Sequence, residues 1–472
     1  MARGSLSYIA RGHRPAVGAG RMRCCAAAIC ICIPFCSPAL RPHALPVPAG
    51  AAGAEFKTLR TIDIRSAEDG SEFRLSLRAR ARDASWEVEG KEAAALSLFI
   101  DDRYDQHVLL VRGTEESVYE SLVGPLARGK HRLRIEWDRS WAPSLAASPE
   151  IFEIQVAPLE RGASKDEKIL RAPVIYLRGD TIGRFSDVPL LLYWDEEQQA
   201  GVPSIVYTVI FSNEDGGTST RRLMARWGRT TDIEWCYAYA HQDGPFSGRF
   251  QGRDHETVPY KGTYEGWHPL LYDVAQNNIF ADKPDGEAPV RVRLLPVHAG
   301  LEGRARETMM DRFPWIYPIM AKEMMRERRL EAFGNPSTPR VSDHRNYVYV
   351  DFCSEQVGTG LWAEVQLRDS ARWYSSDHGD PEARIGRSGC VRTSVELPPG
   401  TGPSDLRALS MRCARAPLKE GDTPVTDATA RLESIAQVFL LDVGYRPGRN
   451  LLARKIRRTL HPGRSHAVNF GS

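Results

Sequence analysis

Short runs that alternate apolar and polar residues recur through most of this 472-residue chain, and they limit its fold more than any other feature. In "HRLRIEW" (131–137), Leu133, Ile135 and Trp137 fall on one face and Arg132, Arg134 and Glu136 on the other. That is the period-two pattern of a half-buried strand. "LSLFIDD" and "HVLLVRG" are further strand-like runs, set apart by a turn-like Asp-Asp and by "GPLARGK". Strands at such intervals indicate a β-sandwich. The expected fold class is therefore mainly β, with several β-sandwich or jelly-roll-like domains and a short helical insert.

The chain is longer than one core usually serves, so several domains are expected. Residues 1–39 read as a leader, 40–55 as a Pro/Ala/Gly-rich linker, and 56–159 as an N-terminal sandwich. A charged stretch, "ERGASKDEK", opens a central β-rich domain over 169–300, with strand runs "APVIYLRGD", "VPLLLYW", "SIVYTVIF", "DIEWCYAYA" and "PVRVRLLPV". Alternation in "DIEWCYAYA" puts Ile233, Trp235, Tyr237 and Tyr239 on one face and Asp232, Glu234 and Cys236 on the other. "NEDGG" reads as a turn. The period changes over the insert, 301–345, where Ile316, Ile319, Met320 and Met324 are spaced for a helix from about Trp315 to Ala332. Pro318 falls in its first turn, where a missing N–H is tolerated, and Gly334 and Pro336 stop it. The methionines are expected to fill core against a sheet. Strand runs resume over 346–445 as a C-terminal sandwich, and 446–472 is a basic tail.

Arg23 precedes an apolar run from Cys24 to Cys36, followed by small residues, which is the layout of a secretory signal. The run is too short to span a bilayer of about 30 Å, so no stable transmembrane anchor is expected. Cleavage after Ala39 or Ala54, with Met22 as an alternative start, leads to a secreted or periplasmic location. Cleavage would leave Cys236, Cys353, Cys390 and Cys413. In an oxidising compartment Cys353–Cys413 is the first choice of disulfide, since both lie on strand-like runs, and the spacings fit no zinc site. The formal net charge of +3 gives no reason to expect a nucleic-acid partner. From Val443 onward the chain carries seven Arg/Lys and no acid, a solvated end or a contact for phosphates or anionic lipid.

The common catalytic signatures, from the Gly-x-Ser-x-Gly elbow to the P-loop and His-Glu-x-x-His, are absent from the sequence. Candidate chemistry concentrates in the central domain. Asp232, Glu234, His255 and His268 are the candidate catalytic residues, and Glu214 and Asp215 the candidate ligands for Ca²⁺. Paired carboxylates can act as acid and base in glycoside cleavage, while Ca²⁺ takes six to eight oxygens in irregular geometry. A plain surface edge, with Glu234 paired to Arg226 or Arg229, accounts for the same residues. Trp227 and Trp267 are candidate sugar-stacking residues. "SSDHGDPE" places Asp377 and Asp380 around Gly379 as a further acidic loop tip.

"LFIDDRYDQHVLL" followed by "GPLARGKHRLRIEW", within 96–137, resembles the jelly-roll accessory modules of secreted glycan-acting proteins, which implies carbohydrate binding. Over 171–282, "RAPVIYLRGD", "IVYTVIFSNEDGG", "TTDIEW" and "HPLLYDVAQNNIFAD" resemble, in order and spacing, proteins of the vacuolar-sorting-associated protein 62 type. Asp232-Ile233-Glu234-Trp235 and Gln276-Asn277-Asn278 depart from that family's motifs, and the likeness implies no particular activity. The leading expectation is an exported binding or structural protein engaging a glycan or cell-envelope polymer. The rival is a hydrolase of a polysaccharide or similar polymer, and docking through the basic tail comes third.

Overall fold

The computed structural model describes residues 56–471, apart from 146–147, 161–163, 200, 243, 245, 287, 289, 336–337 and 419–422. The expected leader and linker lie outside the described residues. What is described is mainly β, with six sheets and a few short helices.

In the N-terminal sandwich, Phe56–Ser66, Gly129–Asp138, Ala95–Ile100 and Arg103–Leu109 form one sheet in that spatial order. Ser117–Leu126, Ser71–Ala81 and Pro149–Pro158 form the other. Leu75, Leu77, Leu96, Leu98, Leu133 and Ile135 fill the space between, buried by the alternation that the sequence displays. Asp101 and Asp102 both adopt positive φ, 49° and 63°, which a two-residue hairpin turn between right-twisted strands requires.

The central region holds two sheets. One runs Thr257–Pro259, Arg249–Gln251, Asp232–Ala240, Val202–Phe211, Pro189–Gln199 and Val297–His298. The other runs Tyr264–Glu265, His268–Asp273, Val174–Leu177 and Val290–Val292, with Phe280–Ala281 added to His268–Asp273. The loop expected to be a hairpin turn at "NEDGG" instead leads into a helix, Thr220–Trp227. Leu223, Met224 and Ala225 are its buried side, and Gly228 closes it at φ 59°. The insert helix covers Ile316–Arg326, shorter than expected, because Arg328 turns left-handed (φ 57°) and Leu330 then bridges Val341. Ile316, Ile319, Met320 and Met324 are buried, as core filler should be.

The C-terminal sandwich pairs the sheet Gly389–Glu396, Tyr347–Val357, Thr429–Leu440, Arg454–Leu460 with the sheet Trp373–Ser375, Thr359–Leu367, Leu406–Arg415, Ser465–Asn469. The segment read as a basic tail thus supplies one edge strand to each sheet. Leu460 and Val468 anchor it in the core, and the charges between them hide that apolar contribution in the sequence. The expected Cys353–Cys413 bond is also corrected, because Cys353 bonds Cys390. These two cysteines sit directly opposite on neighbouring strands, with Cα atoms 4.0 Å apart, while Cys413 is buried and free on the other sheet.

Beside the separate cores of the two outer sandwiches, a central apolar cluster draws residues from all three β regions. It runs from Trp86, Leu109 and Val111 through Tyr193, Tyr207 and Ile210, past Met309 and Met320, to Tyr349, Phe439 and Leu441. Backbone pairing also crosses the first boundary, with Leu122 N–H donating to Arg293 O at 2.9 Å beside the bridge between Ser121 and Leu294. No helix among the described residues is long and apolar enough to cross a membrane.

Candidate functional site

Asp232–Ala240 pairs antiparallel with Val202–Phe211, and the register slips once, so that Thr208 faces Trp235 while Tyr207 faces Tyr237. Cys236 is the extra residue of a β-bulge. A one-residue slip exchanges the faces of a strand, so the alternation expected from the sequence holds only up to Trp235. Beyond the bulge, Tyr237 and Tyr239 join the face that carries Asp232 and Glu234. One sheet face therefore bears carboxylates at one end and tyrosines at the other.

At the acidic end, Glu214, Asp232, Glu234 and His255 come together. Asn278 Nδ2 donates to Asp232 Oδ2 at 3.0 Å, and Arg229 Nη1 lies 3.8 Å from Asp232 Oδ1. Glu234 follows two residues later on the same strand face, and its charge weighs on Asp232. Glu234 also accepts from Gln251, and His255 Nδ1 stands 3.8 Å from Glu234 Oε2. The other ring nitrogen of His255 is 3.2 Å from the side-chain amide of Asn277. With that amide turned to satisfy both ends, its nitrogen lies 3.1 Å from Glu214 Oε1. Glu234 is thus held by Gln251 rather than by Arg226 or Arg229. Asp232 and Glu214 are buried, Glu234 is partly covered and His255 is open.

Burial, followed by the charge of Asp232, pushes Glu214 above the usual carboxylate range. Burial, followed by Glu234, does the same to Asp232, and burial chiefly raises Glu234. Three such groups in one dry pocket cannot all ionise. Burial holds His255 below its ordinary value, so the ring is neutral near pH 7 and free to accept a proton. Asp254, His255 and Asn278 all take left-handed backbone (φ 61°, 59° and 46°), a conformation that non-glycine residues hold at a cost and that gathers at functional sites.

A second network lies across the loop. Arg178 donates to Asp273 (2.8 and 2.9 Å), Asp180 (3.0 Å) and Asp187 (3.0 Å), one cation serving three carboxylates. Burial pushes Asp187 up to about 9 and Asp273 to about 7. Asp215 belongs to this side. Its oxygens accept from Arg329 (2.7 Å), Asn213 (3.0 Å), Arg184 (2.7 Å) and Ser186 (3.1 Å). The calcium pair expected at Glu214 and Asp215 is accordingly not assembled, since the two consecutive carboxylates serve different clusters. Among the described residues no group of three or more His, Cys, Asp or Glu is placed to hold a metal ion. Asp377 of the acidic loop tip is likewise occupied, by Ser375 (2.5 Å), Gly379 N–H (3.0 Å) and Arg384 (2.8 Å).

His268 is not part of the acidic site. Fully buried at the boundary with the N-terminal sandwich, it bonds Glu72 Oε2 at 2.5 Å and Ala172 O at 2.6 Å. Trp227 is flanked by the guanidiniums of Arg226 (4.5 Å), Arg387 (5.0 Å) and Arg229 (5.9 Å) from its ring centre, which occupies the ring rather than offering it. Trp267 is different. It projects from the turn after Tyr264–Glu265 and is 37% exposed. Arg171 lies 6.0 Å from its ring and 4.4 Å from that of Tyr239. Tyr264 contacts Phe246 edge to face at 5.2 Å, and Phe246 is 59% exposed. Phe246 and Trp267 are thus exposed aromatics near the tyrosine end of the sheet, Phe246 packed on Tyr264 and Trp267 close to the buried Arg171. Phe246, Tyr264, Arg171, Asn277 and Asn278 were not singled out in the sequence; the spacing of Tyr264 and Trp267 across a Gly266 turn was the available signal.

A cavity of about 120 Å³ lies between the N-terminal sandwich and the central sheets, lined by Arg112, Tyr119, Leu190 and Trp315 among others, and none of the carboxylates above reaches it.

By its fold the chain belongs to the class of mainly β proteins built from several sheets. No family model matches the sequence, the vacuolar-sorting-associated protein 62 type included, and no curated protein matches it. Among solved structures it is similar to a sugar-binding protein, the EclA C-terminal domain, at 13% identity over 21% of this chain, with a TM-score of 0.17. The match spans 66% of that neighbour's length, less than two thirds, and at such a score it carries nothing over to this chain.

Proposed function

We propose that this chain is an exported, multi-domain glycan-binding protein whose ligand stacks on the rings of Phe246, Tyr264 and Trp267. The observation that carries the reading is the exposure of two large aromatic rings, Phe246 and Trp267, in the connections beside Tyr264. Burying such rings is the ordinary solution, and open ones stack well on the apolar faces of sugar rings. The Tyr264 side chain, half-buried, adds a hydroxyl at the edge, and the Cys353–Cys390 bond suits an oxidising compartment. A glycan array with the full chain tests this, and Trp267→Ala should weaken binding about tenfold, the equivalent of roughly 1–2 kcal/mol of stacking. Binding that is unchanged in Trp267→Ala and in Phe246→Ala sinks the reading.

The convergence of Glu214, Asp232, Glu234 and His255 favours a second reading, hydrolysis of a polysaccharide or similar polymer. Glu234 and neutral His255, at the open rim, would exchange protons with the substrate. Asp232 and Glu214 are buried whereas Glu234 is partly open, and this separation in exposure leaves Glu234 without a second accessible carboxyl to flank a glycosidic bond, as a glycosidase requires. That separation places binding ahead of catalysis. Release of reducing ends from a polysaccharide panel, abolished by Glu234→Gln, would reverse the order.

A further inference from the structure

The edge strand Arg454–Leu460 exposes Arg454, Lys455, Arg457 and Arg458 in one row. No carboxylate pairs with Lys455, Arg457, Arg458 or the nearby Arg464 among the described residues, and the acid opposite, Glu433, is taken by Arg431 at 2.7 Å. Pairing with Thr429–Leu440 slips between Leu432 and Ser434, and in that bulge Arg457 adopts φ 53°. A left-handed arginine is strained, and a bulge re-aims its side chain, here outward from a sheet edge. The other sheet adds His466, whose Nδ1 lies 3.4 Å from Arg458 Nη1. Burial, then the charges of Arg458 and Arg454, hold His466 below its usual pKa.

From Lys455, Arg457 and Arg458, cations without a carboxylate partner on a bulged edge strand, and from Arg464, we propose that the C-terminal sandwich binds a linear polyanionic polysaccharide through these four residues. Four residues of strand extend about 13 Å, an array one-dimensional enough to follow a polymer with a negative group on successive sugars. An anionic lipid surface fits less well. Membrane-adsorbed basic segments add apolar side chains that enter the interface, and beyond Val443 none of the described large apolar residues is exposed. Cations on an edge strand also deter unwanted strand pairing, a role that needs no ligand.

Dextran sulfate is the probe, with uncharged dextran and phosphatidylglycerol vesicles as the other arms, and the full chain is used throughout. The expected result is binding to dextran sulfate alone, weakening steeply as salt shortens the screening length to about 10 Å at 0.1 M. Lys455→Glu/Arg457→Glu/Arg458→Glu should lower affinity at least about tenfold, and the milder triple Gln variant should fall between, with thermal unfolding unchanged. Reversing Arg65, Lys57 and Lys130 on the N-terminal sandwich should leave binding intact. Absence of dextran sulfate binding, equal loss in that control, or preference for vesicles overturns the proposal. The surface is remote in sequence from Phe246, Tyr264 and Trp267, and Trp267→Ala should not affect dextran sulfate binding, so either proposal can fail alone.

Discussion

Replacing Asp187 by asparagine should make the protein more stable, and by an amount that depends on pH. The carboxyl is buried and one oxygen has no hydrogen-bond partner, while the other shares Arg178 with Asp180 and Asp273. Burial, then the charges of Asp215 and Glu323, raises Asp187 from the ordinary 3.8 to about 9. The folded chain therefore keeps a proton that the unfolded chain releases above about pH 4. Below that point both states are protonated and the variant gains nothing. As pH rises, wild-type stability falls by about 1.4 kcal/mol per pH unit until the folded group ionises, so that at pH 7 the difference is at most about 4 kcal/mol and still growing. Asparagine keeps an oxygen for Arg178 and tolerates the left-handed backbone that position 187 adopts (φ 55°). Urea unfolding followed by tryptophan fluorescence at pH 4.5, 6 and 7.5, on wild type and Asp187→Asn, measures the gap. A gap that stays constant or narrows with pH refutes the linkage, as would folding at pH 7 without proton uptake in calorimetry across buffers.

Two further outcomes follow from buried contacts. Arg392 binds Asp351 (2.5 and 2.8 Å) and Asp311 (2.6 and 3.0 Å), so Arg392→Met should cost about 3–5 kcal/mol in urea unfolding by leaving two buried carboxylates without their cation. Cys353→Ser should lower stability by about 2–4 kcal/mol, since the bond closes a separation of 37 residues, whereas Cys413→Ala should lose far less, and mass mapping under non-reducing conditions should recover Cys353 with Cys390.

Much of the strand framework was legible because apolar alternation is a local property. "HRLRIEW" buries Leu133 and Ile135 as its pattern nominates, although Glu136 is buried with them and Trp137 only partly. What the sequence withheld depends on pairing. The bulge at Cys236 arises from register with Tyr207 and Thr208, and it moves two tyrosines onto the carboxylate face. Cys390 is opposite Cys353 only because two strands meet in that register. His268 looked like a base from its neighbours in sequence, yet its partner, Glu72, is 196 residues away. The helix Thr220–Trp227 was hidden by a glycine-rich lead-in that is an equally good turn, and the final strands by their charge. Of the four candidate catalytic residues, Asp232, Glu234 and His255 lie close together because the carboxylates share a strand and the histidine a nearby loop, whereas Glu214, expected to pair with Asp215 for calcium, joins them only through the fold.

The core that passes unbroken from Trp86 to Phe439 bears on how this chain could be cut or recombined. Severing it near residue 159 or 346 would bare apolar side chains on both new surfaces, and a cut near 159 would also part the backbone pairing of Leu122 with Arg293. Such fragments invite aggregation rather than independent folding. Pieces of this chain cannot be shuffled like beads on a string: a graft that borrows the exposed aromatics must bring their neighbours with them.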